Sequence, residues 1–84
     1  MYRFMFPTWP EDEGPVQVSV IGIVVGDKIW VGRTVAILFF EDAKATAGIE
    51  SPVNGIVEQI CATEWDYLSS GQLFMLVQTE ITPT

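Results

Sequence analysis

The chain has 84 residues, 49% of them hydrophobic and 18% charged, and its 11 acidic against 4 basic side chains give a net charge of −7. That length holds one domain, burying roughly 60–65% of the surface its unfolded chain exposes, which leaves little room for a deep catalytic cleft. The apolar fraction excludes disorder, the acidity disfavours nucleic acid and anionic membranes while suiting a basic partner, and a chain with no His and one Cys cannot assemble an internal disulfide, a Cys/His zinc site or a His-based triad.

No apolar run approaches the roughly 20 residues of a membrane span; the longest, Val35-Ala36-Ile37-Leu38-Phe39-Phe40, stops at Glu41. The first residues, Met1-Tyr2-Arg3-Phe4-Met5-Phe6-Pro7, carry one basic side chain and too short an apolar stretch for a secretory signal, so the expectation is a soluble cytoplasmic protein. Val, Ile, Phe and Trp recur in short runs cut by Gly, Pro, Asn and Asp, without helical spacing, which predicts an all-β fold.

In chain order, the first strand is predicted over 2–6, followed by a polar loop, Pro10-Glu11-Asp12-Glu13-Gly14-Pro15. A second strand covers 16–24 and ends in the Gly26-Asp27 reversal, where Lys28 reads as an ordinary solvated charge. Strands over 35–40 and 46–50 flank a short polar stretch. The reversal Ser51-Pro52-Val53-Asn54-Gly55 then leads into a strand over 55–60, and Ser69-Ser70-Gly71 turns the chain into a last one over 74–79. Cys61, between Ile60 and Ala62, reads as a buried packing thiol. Residues 1–80 are expected to form the domain and 81–84, rich in Thr and Pro, the start of a tail or linker.

Sliding the chain against itself by 39 positions aligns Val18 with Val57, Ile21 with Ile60, Asp27 with Asp66, Ile29 with Leu68, Gly32 with Gly71 and Val35 with Phe74. Each half reads strand, Asp-containing turn, apolar anchor, Gly turn, strand. Two such units can bury their apolar faces against each other as a pseudo-two-fold sandwich. The junction between the halves, 41–48, then falls at one end. There Phe40-Glu41-Asp42-Ala43-Lys44-Ala45-Thr46 passes from apolar to polar and back, as an exposed hairpin turn does, with Lys44 near its apex and small residues on either side. A lysine at such a place is most often only a surface charge.

Taken together, these segments resemble the biotinyl/lipoyl attachment family, and within it the lipoyl domains of dihydrolipoyl acyltransferases of 2-oxo acid dehydrogenase complexes. The resemblance is carried by Phe4-Met5-Phe6-Pro7, Glu11-Asp12-Glu13-Gly14, Val25-Gly26-Asp27-Lys28-Ile29-Trp30-Val31-Gly32, Glu41-Asp42-Ala43-Lys44-Ala45 with Ser51-Pro52-Val53-Asn54-Gly55 downstream, and Gly71-Gln72 with Phe74, in the family's order.

It implies a flattened β-sandwich of two four-stranded sheets related by a pseudo-two-fold axis, with the attachment hairpin at one end and no catalytic activity of its own. Lys44 would carry lipoate through an amide, and Glu41, Asp42, Ala43 and Ala45 would be the flanks read by a lipoate ligase or lipoyl transferase. The implied partners are a thiamine-dependent decarboxylase, an acyltransferase core and dihydrolipoyl dehydrogenase, for which an isolated monomeric domain acts as a swinging arm. The place of action is the cytoplasm, or the mitochondrial matrix in a eukaryote.

Two residues depart from the family pattern. Ala43 stands where lipoyl domains carry Asp and biotin domains Met, so it separates neither; Ala45 favours lipoate, because biotin acceptors carry Met there. Trp65 replaces the Gly that the family pattern sets before Asp66, and a bulky residue at a turn needing positive φ is strained; the turn is expected to differ locally, with Trp65 partly packed on the surface. A biotin carrier of a carboxylase or decarboxylase, and an unmodified scaffold or adaptor in which Lys44 is only solvated, remain as alternatives. A metal site is not expected, and Glu41 with Asp42 lack a second group to act as a carboxylate pair.

Overall fold

The computed structural model describes residues 1–79. Its strands are β1 (Tyr2–Met5), β2 (Val16–Ile21), β3 (Lys28–Ile29), β4 (Thr34–Phe40), β5 (Ala45–Glu50), β6 (Gly55–Ile60) and β7 (Leu73–Thr79). A single 3-10 turn, Glu11–Glu13, is the only helical segment among the described residues. All pairings are antiparallel, in one sheet ordered β1-β7-β6-β3 and another ordered β2-β4-β5. Strand formation follows from alternation: along β6, Gly55 and Val57 are buried while Ile56 and Glu58 are exposed, the period of two that gives a sheet one apolar face. The apolar faces meet in a core of Val16, Val18, Leu38, Val57, Phe74 and Val77. Phe74 lies at its centre, stacked on Phe6 at 4.5 Å and edge-on to Phe4 at 5.5 Å. Burying each such side chain stabilises the fold by about 1.5–3 kcal/mol.

The 39-residue repeat is written into the backbone hydrogen bonds. The Val57 amide donates to the Asp27 carbonyl, and the Val18 amide to the Asp66 carbonyl. The Asp27 carboxylate accepts from the Val24 amide, and the Asp66 carboxylate from the Thr63 amide, both at 2.9 Å. Gly22 donates to Val35 as Cys61 donates to Phe74. Even the ladder irregularities recur, between Val18 and Val20 in β2 and between Val57 and Gln59 in β6. The two halves are therefore one unit used twice.

The symmetry fails in one respect, and the expected second four-stranded sheet is corrected to three strands. In the first sheet β3 forms the edge, with Lys28 opposite Ile56; the twin of that pairing is a single isolated bridge between Gln17 and Tyr67. Two residues or one are too short to show any periodicity, which is why sequence reading missed β3. The second strand stops at Ile21 rather than at 24, because the Gly22 amide turns to Val35 and the Val24 amide is taken by the Asp27 carboxylate. Cys61 is exposed and not a buried packing thiol. The bulge in β6 shifts the in–out alternation, leaving Ile60 half-buried and turning the next residue outward. The predicted 81–84 tail lies outside the described residues.

This framework places the hairpin. β4 begins where the Ser51 amide donates to the Arg33 carbonyl, close to the corner at which Gly55 pairs with Thr79 near the end of β7. Over its length, at about 3.3 Å per residue, it carries the 41–44 turn roughly 20 Å from that corner.

Candidate functional site

Phe40 of β4 pairs with Ala45 of β5, and the four residues between them form the turn. It is closed by the Lys44 amide donating to the Glu41 carbonyl at 3.2 Å. Asp42 and Ala43 occupy the apex and Lys44 follows directly, near the apex as the sequence suggested. Its φ is +52°, a left-handed conformation that costs a non-glycine residue about 1 kcal/mol. Asp42, Ala43, Lys44 and Ala45 are all exposed, and Glu41 is half-buried. The small methyls of Ala43 and Ala45 leave the Lys44 side chain unobstructed by its immediate neighbours.

Although its tip is open, the turn is braced on several sides. The Glu41 amide donates to the Pro15 carbonyl at 3.1 Å, tying the turn to the loop before β2. The Asp42 carboxylate folds over Gly14, whose φ is +83° and whose missing side chain makes the space: a Cβ there would land on that carboxylate. At the stem, Trp9 sets its ring edge-on to Phe40 at 6.0 Å, while the Trp9 amide donates to the Ser70 hydroxyl at 2.8 Å. From the other half, the Tyr67 hydroxyl donates to Glu41 Oε1 at 3.1 Å. That hydrogen bond, and then the carboxylate's charge, raise the Tyr67 phenol above its usual 10.0.

Tyr67 projects from the turn that holds Trp65. There the expected local difference is absent. Trp65 takes a φ of +72° at the place where its twin Gly26 has +96°, and its amide donates to Val18 as that of Gly26 donates to Val57. The turn is kept and the tryptophan carries the strain, its side chain 61% exposed. Gln17 Nε2 adds a hydrogen bond to the Trp65 carbonyl at 3.0 Å.

The structure thus places Glu41, Asp42, Ala43 and Lys44 in the turn and Ala45 beside it as the first residue of β5, and adds Gly14, Pro15 and Tyr67, which sequence reasoning missed. A signal for Tyr67 existed: the 39-residue shift makes it the twin of Lys28, and hence an edge partner of β2 beside the β4 end. Among the described residues no group of three or more His, Cys, Asp or Glu is gathered to hold a metal ion, and no helix is long and apolar enough to cross a membrane.

A two-fold sandwich thus raises the exposed Lys44 on a braced hairpin at one end. The chain belongs to the biotin/lipoyl attachment domain family, described as "Biotin-requiring enzyme", which matches residues 8–77. Domains of this family carry lipoate or biotin covalently on a lysine and are generally non-catalytic. Among curated proteins, none matches the chain.

Proposed function

We propose that the chain is a lipoyl carrier domain and that Lys44 is its attachment lysine, the hairpin being a handle with no chemistry of its own. One observation carries this: an exposed lysine is held at φ +52°, where glycine or asparagine would be less strained, on a turn whose first two residues, Glu41 and Asp42, are braced against the body. Strain at an exposed position that packs against nothing makes sense if the amine itself is used. Ala45, and the absence of a methionine beside Lys44, favour lipoate over biotin.

In attachment, the deprotonated Lys44 Nζ attacks the carbonyl of an acyl adenylate supplied by a ligase. The amide C–N bond forms as the acyl–O bond breaks, AMP departs with that bond's electrons, and the nitrogen gives up a proton to water. Once loaded, the group supplies a disulfide that can be reduced and acylated. The protein's contribution is to keep Lys44 at the end of a rigid body, so that a flexible arm reaches successive active sites at an effective concentration on the order of millimolar. Those sites belong to a thiamine-dependent decarboxylase, an acyltransferase core and dihydrolipoyl dehydrogenase, in the cytoplasm or the mitochondrial matrix. The net charge of −7, with Glu11, Asp12, Glu13, Glu41 and Asp42 clustered in sequence around the hairpin and its brace, suits docking to basic enzyme surfaces.

The test is intact mass after incubation, in parallel, with lipoate ligase plus lipoate and ATP and with biotin ligase plus biotin and ATP. A lipoyl adduct supports the proposal. A biotin adduct in preference makes the chain a biotin carrier, and no adduct under either condition makes it an unmodified scaffold.

A further inference from the structure

The Tyr67–Glu41 contact joins the two halves at the point where the hairpin begins. Tyr67 stands on a rigid mount. Its neighbours on both sides are bonded to β2, with the Asp66 carbonyl accepting from Val18 at 3.1 Å and the Leu68 amide donating to Val16 at 2.8 Å, and Tyr67 itself bridges to Gln17. The turn behind it is fixed by Trp65, whose amide donates to Val18 and whose carbonyl accepts from Gln17. From that mount the phenol crosses to Glu41.

Glu41 in turn is the residue on which the hairpin's geometry converges. Its amide donates to Pro15, its carbonyl accepts the Lys44 amide, and its carboxylate accepts from Tyr67. Of these three bonds only the last comes from the second half of the repeat, and only the last fixes the side chain. Nothing in the two-fold design calls for it: the twin of Tyr67 is Lys28, and the counterpart of the β4–β5 pair is β1 with β7, two strands that no hairpin joins. An exposed tyrosine, 64% accessible, has no packing reason to be there.

We infer that Tyr67 is a positioning residue for the modification of Lys44: by holding the Glu41 carboxylate in one rotamer, it presents that carboxylate and the turn it opens in the orientation the modifying ligase reads. The inference rests on the carrier reading above. A side chain preset in its bound rotamer spares the ligase the cost of ordering it, so the effect belongs in recognition of the protein substrate and not in the acyl-transfer step.

The experiment measures steady-state modification of the purified 84-residue chain by lipoate ligase with lipoate and ATP, the carrier concentration being varied. Tyr67→Phe removes one exposed hydroxyl and nothing else. It is expected to raise KM for the carrier about three- to fivefold with kcat unchanged, the range of an exposed charge-assisted contact. Glu41→Ala should raise KM at least as far, and adding Tyr67→Phe to Glu41→Ala should change it no further, because the hydroxyl acts only through that carboxylate. A second reading, amide hydrogen exchange of the unmodified protein, should show the Lys44 amide exchanging faster in Tyr67→Phe while core amides keep their protection. Wild-type KM in Tyr67→Phe, or effects of the two substitutions that multiply, would overturn the inference and leave the carrier reading standing. A wild-type chain that the ligase does not label overturns both.

Discussion

Alanine substitution separates two glycines that serve backbone conformation, Gly26 and Gly32, from Gly55, which serves close approach. Gly26 and Gly32 have φ of +96° and +90°, and a Cβ at either meets nothing within 4 Å. Alanine there costs only the left-handed penalty, about 1 kcal/mol. Gly55 is a different case. It is buried where β6 meets β7, and a Cβ would press on the Gln78 carbonyl oxygen, lie 2.8 Å from Val77 Cγ1 and 3.0 Å from the Gln78 carbonyl carbon. The obstacle is the backbone of a paired strand, which cannot swing aside as a side-chain tip can, so the cost falls at the upper end of overpacking, about 3 kcal/mol. In a domain of this size each kcal/mol moves Tm by roughly 4–8 °C. Gly26→Ala and Gly32→Ala should therefore melt a few degrees below wild type, and Gly55→Ala more than 10 °C below, when circular dichroism at the strand band is followed against temperature and urea. Equal losses at Gly26 and Gly55 would refute the close-approach argument.

Further outcomes follow from the same geometry. Lys44→Gly relieves the left-handed strain of the turn and should leave stability unchanged or raise it by up to about 1 kcal/mol in urea unfolding, while abolishing modification; a loss of stability would show that the lysine packs. Trp65→Gly copies the twin turn, and because gained freedom of the unfolded chain offsets relieved strain, its stability should stay within about 1 kcal/mol of wild type. Phe74→Ala empties the centre of the core and should cost about 3–5 kcal/mol, enough to leave much of the chain unfolded at 37 °C by circular dichroism. In a Tyr2→Phe background, which leaves Tyr67 the only tyrosine, its ultraviolet absorbance should titrate above pH 10.0 and return toward that value when Glu41 is replaced by Gln. Because the folded phenol holds its proton more tightly than the unfolded one, the contact's contribution is complete below about pH 10 and is lost as pH rises through the folded value; the Tm difference between wild type and Tyr67→Phe should shrink over that window.

Most of this fold was legible because it is written twice. Val18 and Val57, or Asp27 and Asp66, recur at one spacing, and a repeated pattern of apolar anchor and carboxylate-closed turn leaves few alternatives to a two-fold sandwich. What escaped was what local pattern cannot hold. β3 is two residues long, its twin is a single bridge at Tyr67, and the outward turn of Cys61 depends on a bulge in β6 that only pairing with β7 creates. At the hairpin, the polar stretch and the place of Lys44 near its apex were legible, while the bounds of the turn, 41–44 with Ala45 already in β5, are set by the Phe40–Ala45 register and not by composition. Gly14, Pro15 and Tyr67 lie far from Lys44 in sequence and reach the turn only through tertiary contact. Trp65 shows the converse: the rule that a bulky residue avoids positive φ is sound, yet four backbone hydrogen bonds around Asp66 hold the turn and the rule yields.

The claim that Lys44 is the attachment point is tested most directly by locating the adduct. The chain holds two lysines, Lys28 on β3 and Lys44 on the hairpin, both exposed, so peptide mapping by tandem mass spectrometry of the ligase-treated protein decides between them. Lipoyl mass is expected on the Lys44 peptide alone, and none on a Lys44→Arg variant whose circular dichroism and Tm match wild type. Label on Lys28, or label that survives in Lys44→Arg, would contradict it.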